Sequence, residues 1–502
     1  MNNYIVTQKD IEILMQSDKE LYYKLELLNE NMKVLDCIEG NLISDNISIS
    51  ADSDIRRTYN CTLLVENSTF VLGKDSKIFF NKLIKPYIGV LHQRSQTIQW
   101  YCLGIFLYTD LNYSYNETDK TLQITCLDMM CLLNDSRKGQ LPDYKRTILA
   151  GTDAREVIIS LLEEAGVTKY FIEFNINGNS ISTFPIPYDL VFEAGSTVYT
   201  TIKEIVDLYA GSQMYFSLDG TFVISRIPTS KNEINVLTDD ILQQILINEQ
   251  VTTSLSNVYN HIKIYGKTNE PDYYTKDVTC NGNVYFSNVI VMKLDETTGE
   301  YVEVEYVEQL DNFDTFALRI PCTNANTQYI NINNIGNILI VDDSGDSLNE
   351  GILEAGVDYL FKYRQATNDF LFLGSYQCIG EAYLSNNKDN KNDYVVIDTT
   401  SNFAIEVIGD RLKVLSGSDY DLIYTNSLCN QRARLELYNA SNMQDSLSLS
   451  IVAIPWLDVR MKVEFTSNAT KQKAEYIITN ISCDYSTYQM SLNLSRYYPD
   501  YI

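Results

Sequence analysis

The sequence predicts a mainly β chain with an α+β component: two barrel-like β domains, the second split by a β-rich insertion, with an α+β domain between them. Three observations predict it. Short alternations of apolar and polar residues with period two fill both ends of the 502 residues, the pattern of half-buried strands. Their close spacing suits an antiparallel barrel or sandwich. Residues 150–226 change to helical stripes, and two stretches of similar β texture flank a middle section, as when one β domain is interrupted by another. The expected domains are 1–140 (barrel-like), 141–230 (α+β), 231–275 with 415–502 (the split barrel) and 276–414 (the insertion).

The elements follow in chain order. A helix-like start near residues 8–16 precedes strand patterns such as "YKLELLN", "NISIS", "LIKPYIGV" and "WYCLGIFLY". In "TYNCTLLVE", Tyr59, Cys61, Leu63 and Val65 alternate with Asn60, Thr62, Leu64 and Glu66. "TDAREVIISLLEEAG" sets Val157, Ile158, Leu161, Leu162 and Ala165 on one helical stripe, with Asp153 and Glu156 in capping-box spacing and Gly166 as the stop. A second helix, "STVYTTIKEIVDLYAG", shows Val198, Ile202, Ile205 and Tyr209 on its face and ends at Gly211. It feeds a hairpin in which Asp219 and Gly220 are expected to supply positive φ.

From about residue 250 strands return, as in "SNVYNHIKIYGK", and "SNNKDNKNDY" at 385–394 reads as an exposed loop. A helix is expected at 427–440 with Ser427 as its cap. In "IPWLDVRMKVEF", Leu457, Val459, Met461, Val463 and Phe465 alternate with Asp458, Arg460, Lys462 and Glu464, so a strand is expected from Leu457, with Pro455 at its start because proline cannot donate to a ladder. No fixed-period repeat supports a solenoid or propeller.

Composition excludes several function classes. With 45% hydrophobic residues the chain has ample core material, and its length implies three or four domains. Sixty-six acidic against 39 basic residues give a net charge of −27, which disfavours holding a polyanion. The first residues show no secretory signal, and no run approaches the roughly 18 apolar residues of a membrane helix. Ten cysteines, spread singly through apolar alternation, are expected to be unpaired strand-buried thiols.

Two histidines, His92 and His261, leave metal and nucleophile schemes short of parts, and HExxH, CxxC, GxSxG and phosphate-loop motifs are absent. No catalytic, cofactor or metal residues are therefore expected. "VDDSGDSLNEG" at 341–351 clusters carboxylates round a glycine, yet lacks the alternate-position ligands of a calcium loop, and a solvated turn is expected. Sixty-six acids make some close carboxylate pair inevitable, so glycoside hydrolysis gains nothing from their number. The 37 tyrosines suit half-buried strands and protein interfaces as well as a sugar groove.

Three segments carry a resemblance. "GNLISDNISISADSDIRRTYNCTLLVEN", with Arg56 and Arg57, "WYCLGIFLYTDLNYSYNETDKTLQITCLDMMCLLND", and "IPWLDVRMKVEF…AEYIITNISCDYSTYQMSLNLSRYYP" together resemble bacteriophage tail hub proteins, over about 1–265 and 415–502. Inside the insertion, about 316–375 looks like a small β module of phage tail fibres, with a turn at 324–327, Gly336, a "G-x-L-x-A-G-x-x-Y" stretch at 351–359 and a closing "NDFLFLG" strand.

The resemblance implies a homotrimer whose two barrels per chain form a pseudo-six-fold ring in the virion tail, made in the host cytoplasm. The implied partners are the tail tube or distal tail protein, a tail-tip spike or fibre, and the tape-measure protein, with genomic DNA passing without specific binding. Pro455 and Trp456 would turn into a barrel strand, and Asp458 and Arg460 would bond a neighbouring segment or subunit, making Arg56, Arg57, Pro455, Trp456, Asp458 and Arg460 the candidate structural residues. Some relatives carry a C-terminal hydrolase, for which this chain leaves no room after its last strand, so a non-enzymatic role is expected. The rival readings are a receptor- or carbohydrate-binding tip protein acting through 276–414, and a cell-wall hydrolase.

Overall fold

The computed structural model describes residues 4–40, 42–65, 78–79, 82–115, 120–176, 179–181, 185–186, 188–208, 211–228, 233–254, 256–275, 277–287, 291–295, 298, 301–304, 307, 309–325, 327–390, 392, 394–417, 419–441 and 444–497. Glu66 and Tyr209, named above, and residue 326 of the expected turn at 324–327 lie outside them. The chain is mainly β, as its alternation predicts.

Among the described residues, fourteen strands hydrogen-bond into one sheet. Eight come from the N-terminal half, between Leu21–Asn29 and Lys120–Asp128, and six from Asn235–Leu237, Leu246–Ser254 and the four strands between Gln444–Val452 and Gln489–Arg496. The halves meet where Leu42–Ser50 runs antiparallel to Lys473–Asp484, pairing residues 46–50 with 480–484. Arg57–Leu64 buries alternate residues throughout, with Arg57, Tyr59, Cys61 and Leu63 inward. Because the sheet is shared, one hydrophobic core takes residues from both halves, among them Ile47, Phe106, Trp456 and Leu492.

Asp45 lies at this seam, 2% exposed, accepting from the Tyr59 hydroxyl at 3.2 Å while its other carboxyl oxygen has no partner. Burial pushes its pKa up to about 7, against the Tyr59 hydrogen bond and with help from the charge of Asp484.

The α+β domain contains helices Ala154–Glu164 and Val198–Asp207. Asp153 caps the first by accepting from the amides of Arg155 and Glu156, and Gly166 at φ +83 ends it. Thr197 and Thr200 form a capping box on the second. Val198, Ile202 and Ile205 are buried, as their spacing predicts. The hairpin Ser212–Phe216 with Phe222–Arg226 differs from expectation in its turn: only Gly220, at φ +76, is left-handed. Asp219 instead uses its carboxylate to accept from Ser217, Thr221 and Lys169, so the loop is longer than two residues and needs one positive φ.

The insertion is nested. His261–Thr268, placed by sequence with the split barrel, pairs instead with Gln377–Ser385 and Leu412–Leu415 in a four-stranded sheet. Between them a ten-stranded sheet, from Tyr273–Thr275 to Asp369–Gly374, has its own core around Phe316, Phe361 and Phe370. Within it the "DDSGD" stretch is a turn in which Asp342 accepts from the amides of Ser344 and Asp346, and no cluster that could hold a metal occurs among the described residues. Asn324 is buried and bridges Asn349 and Leu353.

Two expectations are corrected here. Cys280 and Cys322 form a disulfide, their strand and loop lying with Cα atoms 6.5 Å apart, whereas the other eight cysteines are free. The helix runs Asn426–Ala440 and is capped by Thr425, which accepts from the Leu428 amide; Ser427 falls inside its first turn.

That helix lies directly on the four-stranded sheet because Gly380 and Gly266 carry no Cβ. A Cβ on Gly380 would sit 2.2 Å from the Cys429 carbonyl oxygen. Gly380→Ala is expected to cost about 3 kcal/mol by overpacking, read as faster hydrogen exchange in residues 426–440 and a lower unfolding midpoint; an unchanged midpoint would show that the helix can shift. Asp45 gives a pH prediction. Because its carboxyl titrates near 7 when folded and near 4 when unfolded, the folded state holds the extra proton between those values, and stability falls as pH rises through that window, by up to about 4 kcal/mol. Urea midpoints at pH 5 and pH 8 should differ more for the native chain than for Asp45→Asn.

Candidate functional site

The period-two register puts two charged residues in core columns. Arg57 follows the inward file of Tyr59, Cys61 and Leu63, and Asp128 ends the inward file of Leu122, Ile124 and Cys126 on the adjacent strand. Both are buried, at 2% and 3% exposure. The Arg57 amide donates to Asp128 Oδ2 at 2.9 Å. Its guanidinium donates to the Phe216 carbonyl of the α+β hairpin at 2.8 Å and pairs with Asp458. One side chain thus joins the N-terminal half, the α+β domain and the C-terminal half. Burial pushes the Asp128 carboxyl up, opposed by the Met130 and Arg57 amides.

The segment around Asp458 departs from the expected strand. The strand begins only at Lys462, and residues 454–461 form successive turns. Pro455 occupies the second position of a turn closed by the Leu457 amide on the Ile454 carbonyl, where its fixed φ is suitable. Arg460 adopts φ +66, and its amide reaches the Ile478 carbonyl at 2.7 Å. Ala453, Ile454, Trp456, Leu457 and Val459 are all buried, so no single face exists here; the alternation from Leu457 matches the composition of a strand without its geometry.

The remaining candidates lie around this pair. Arg56 stacks on Tyr215, 3.8 Å from the ring centroid, and donates to Gln213 Oε1 at 2.7 Å. Burial pushes its pKa down to about 10. Arg460 donates to Asp52 at 2.7 Å, tying the C-terminal half to the loop before Arg57. Trp456 stacks on Tyr4 at 5.9 Å, and the hydroxyls of Tyr4 and Tyr101 both donate to Asp10. Burial pushes Asp10 up, but hydrogen bonds from Thr7, Tyr101 and Tyr4 outweigh it and hold the carboxyl below its usual range. A cleft of about 720 Å³ opens beside these groups, between the α+β domain and the C-terminal half, and Tyr4, Arg56, Tyr215, Trp456 and Arg460 line it.

All six candidate residues therefore fall in one region. The sequence reading missed Asp128, Gln213, Tyr215, Asp52 and Tyr4. Asp128 had a signal, a carboxylate in register with a core file; Gln213 and Tyr215 had none.

Both histidines are held between hydrogen-bonding partners. His92 Nδ1 lies 2.7 Å from Ser95 Oγ and Nε2 lies 3.1 Å from Glu12, a chain that fastens the first helix to the Lys82–His92 and Thr97–Cys102 hairpin. His261 begins its strand between Glu381 and Asp410, at 2.8 and 3.0 Å.

Comparison with known proteins gives the following. A family model described as "Domain of unknown function (DUF5048)" matches residues 400–501. No curated protein matches the chain. Among solved structures, a tail protein from Neisseria meningitidis MC58 is 8% identical, with 94% of this chain and 96% of that one covered and a TM-score of 0.45. A 43 kDa tail protein of prophage MuSo2 from Shewanella oneidensis is 10% identical, covering 95% and 98%, with a TM-score of 0.47. A prophage tail protein from Listeria monocytogenes EGD-e is 11% identical, covering 94% of each, with a TM-score of 0.42. The chain is similar to phage tail proteins.

Removing Asp458 should leave Arg57 buried without its counter-charge. Asp458→Ala is expected to cost about 3 to 5 kcal/mol, and adding Arg57→Met should recover most of the loss. A double-mutant cycle on urea midpoints measures this, and additive losses would show that the two groups are not coupled.

Proposed function

We propose that the chain is a non-enzymatic structural protein of the virion tail, a hub ring joining the tail tube to the tip. The observation that carries this reading is the seam of residues 46–50 with 480–484, by which two β halves of one chain become neighbouring segments of one sheet. Three chains would then supply six such segments, meeting a six-fold tube or distal tail protein on one side and a three-fold spike or fibre on the other. The clamp of Arg57 on Asp458 and Phe216 keeps the segments in fixed relation, as a load-transmitting ring requires. A net charge of −27 suits a lumen through which DNA passes without sticking, and the tape-measure protein would leave by the same path.

The insertion's separate core supports a second role within the same assembly, contact with a receptor or host glycan through 276–414.

Light scattering with negative-stain averaging on the purified chain tests the ring. The expected result is three times the mass of one chain and a three-fold particle with a central hole. A stable monomer or two-fold dimer, both alone and with the tail-tube protein added, would overturn the proposal.

A further inference from the structure

We propose that the cleft between the α+β domain and the C-terminal half takes an acidic, apolar peptide segment whose carboxylate meets Arg56. The inference goes beyond the hub reading, since every group involved belongs to one chain.

Arg56 is 5% exposed, lines the cleft, and lies flat against Tyr215. Its hydrogen bond goes to neutral Gln213, and the nearby carboxylate of Asp458 is engaged by Arg57. Among the described residues no carboxylate lies within ion-pair distance of Arg56. A desolvated guanidinium presents five N–H donors in a planar fork suited to a carboxylate, and a buried cation without one is costly. The charge of Asp458 acts on Arg56 without touching it, so the cleft presents a guanidinium that no carboxylate among the described residues contacts.

Three further observations select a peptide. Arg460 and Asn235, both lining the cleft, each carry a buried polar atom without a partner: Nε, a donor, and Oδ1, an acceptor. A backbone amide offers the matching acceptor and donor. Among the described strands, Asn235–Leu237 pairs only with Lys462–Thr466, and strand addition is a common mode of peptide recognition. At the rim Ile5 and Ile234 are each 83% exposed and Phe171 is 43% exposed, an apolar margin that asks for apolar side chains.

A polyphosphate or nucleic acid fits less well. Asp219 and Glu233 line the same cleft and would repel a continuous run of negative charge. A volume of about 720 Å³ suits a short segment.

Fluorescence anisotropy on the full chain tests this, using a fluorescein-labelled hexapeptide of leucine and alanine with a single central glutamate and blocked ends. A saturable rise is expected, with none from the same peptide carrying lysine in place of glutamate. Arg56→Gln should weaken binding about tenfold, the size of one lost charge-assisted hydrogen bond. Ile234→Asp, on an exposed rim residue that cannot upset the core, should weaken it similarly by repelling the glutamate carboxylate. Absence of saturable binding, equal binding of the lysine peptide, or unchanged affinity in Ile234→Asp would overturn the proposal. These results are read on one chain, so they are distinct from success or failure of ring assembly.

Discussion

A buried arginine needs fixed partners, and Arg57 draws them, one through its amide and two through its guanidinium, from three parts of the chain. Asp128 lies on the neighbouring strand, Phe216 on a hairpin 159 residues later, and Asp458 a further turn of the fold away, 401 residues from Arg57. No one of the three domains can complete this set alone. Their relative placement is consequently written into a single residue's hydrogen bonding, and the surrounding contacts of Arg56, Arg460 and Trp456 elaborate the same junction. Such an arrangement trades desolvation for specificity of geometry.

The backbone provides the second constraint. An antiparallel ladder fixes register, because a slip of one residue would turn every inward side chain outward. Where 46–50 meets 480–484, that rule orders the two β halves against each other. Asp45 stands beside the ladder with one oxygen unpaired, so the seam contains both the strongest orienting element and a group that disfavours its own ionisation.

Much of this was legible in the sequence, and for definable reasons. Strands such as Arg57–Leu64 and helices such as Val198–Asp207 were readable because burial on one face imposes a period on the residues. The Arg56 to Arg460 region was legible only as a set of separate residues; that they converge depends on pairings between positions hundreds of residues apart, which leave no local trace. The segment after Pro455 misled because every second residue is apolar for a different reason, each filling a separate niche between turns. His261–Thr268 alternates cleanly, but alternation says which face is buried and nothing about which strand lies alongside. The Cys280–Cys322 link escaped for the same reason, since isolated cysteines at wide spacing carry no pairing signal.

The nested insertion leaves the rest of the chain where residues 268 and 377 are paired neighbours on adjacent strands. Whatever lies between them begins and ends at almost one point on the small sheet. The ten-stranded part is therefore attached through one pair of adjacent strands, while Ala317, Leu360, Leu371 and Leu373 pack its near face into the core of the sheet that carries it. Length changes at the far side of the module are free of the register of the carrying strands, whereas changes on its near face must keep that shared packing.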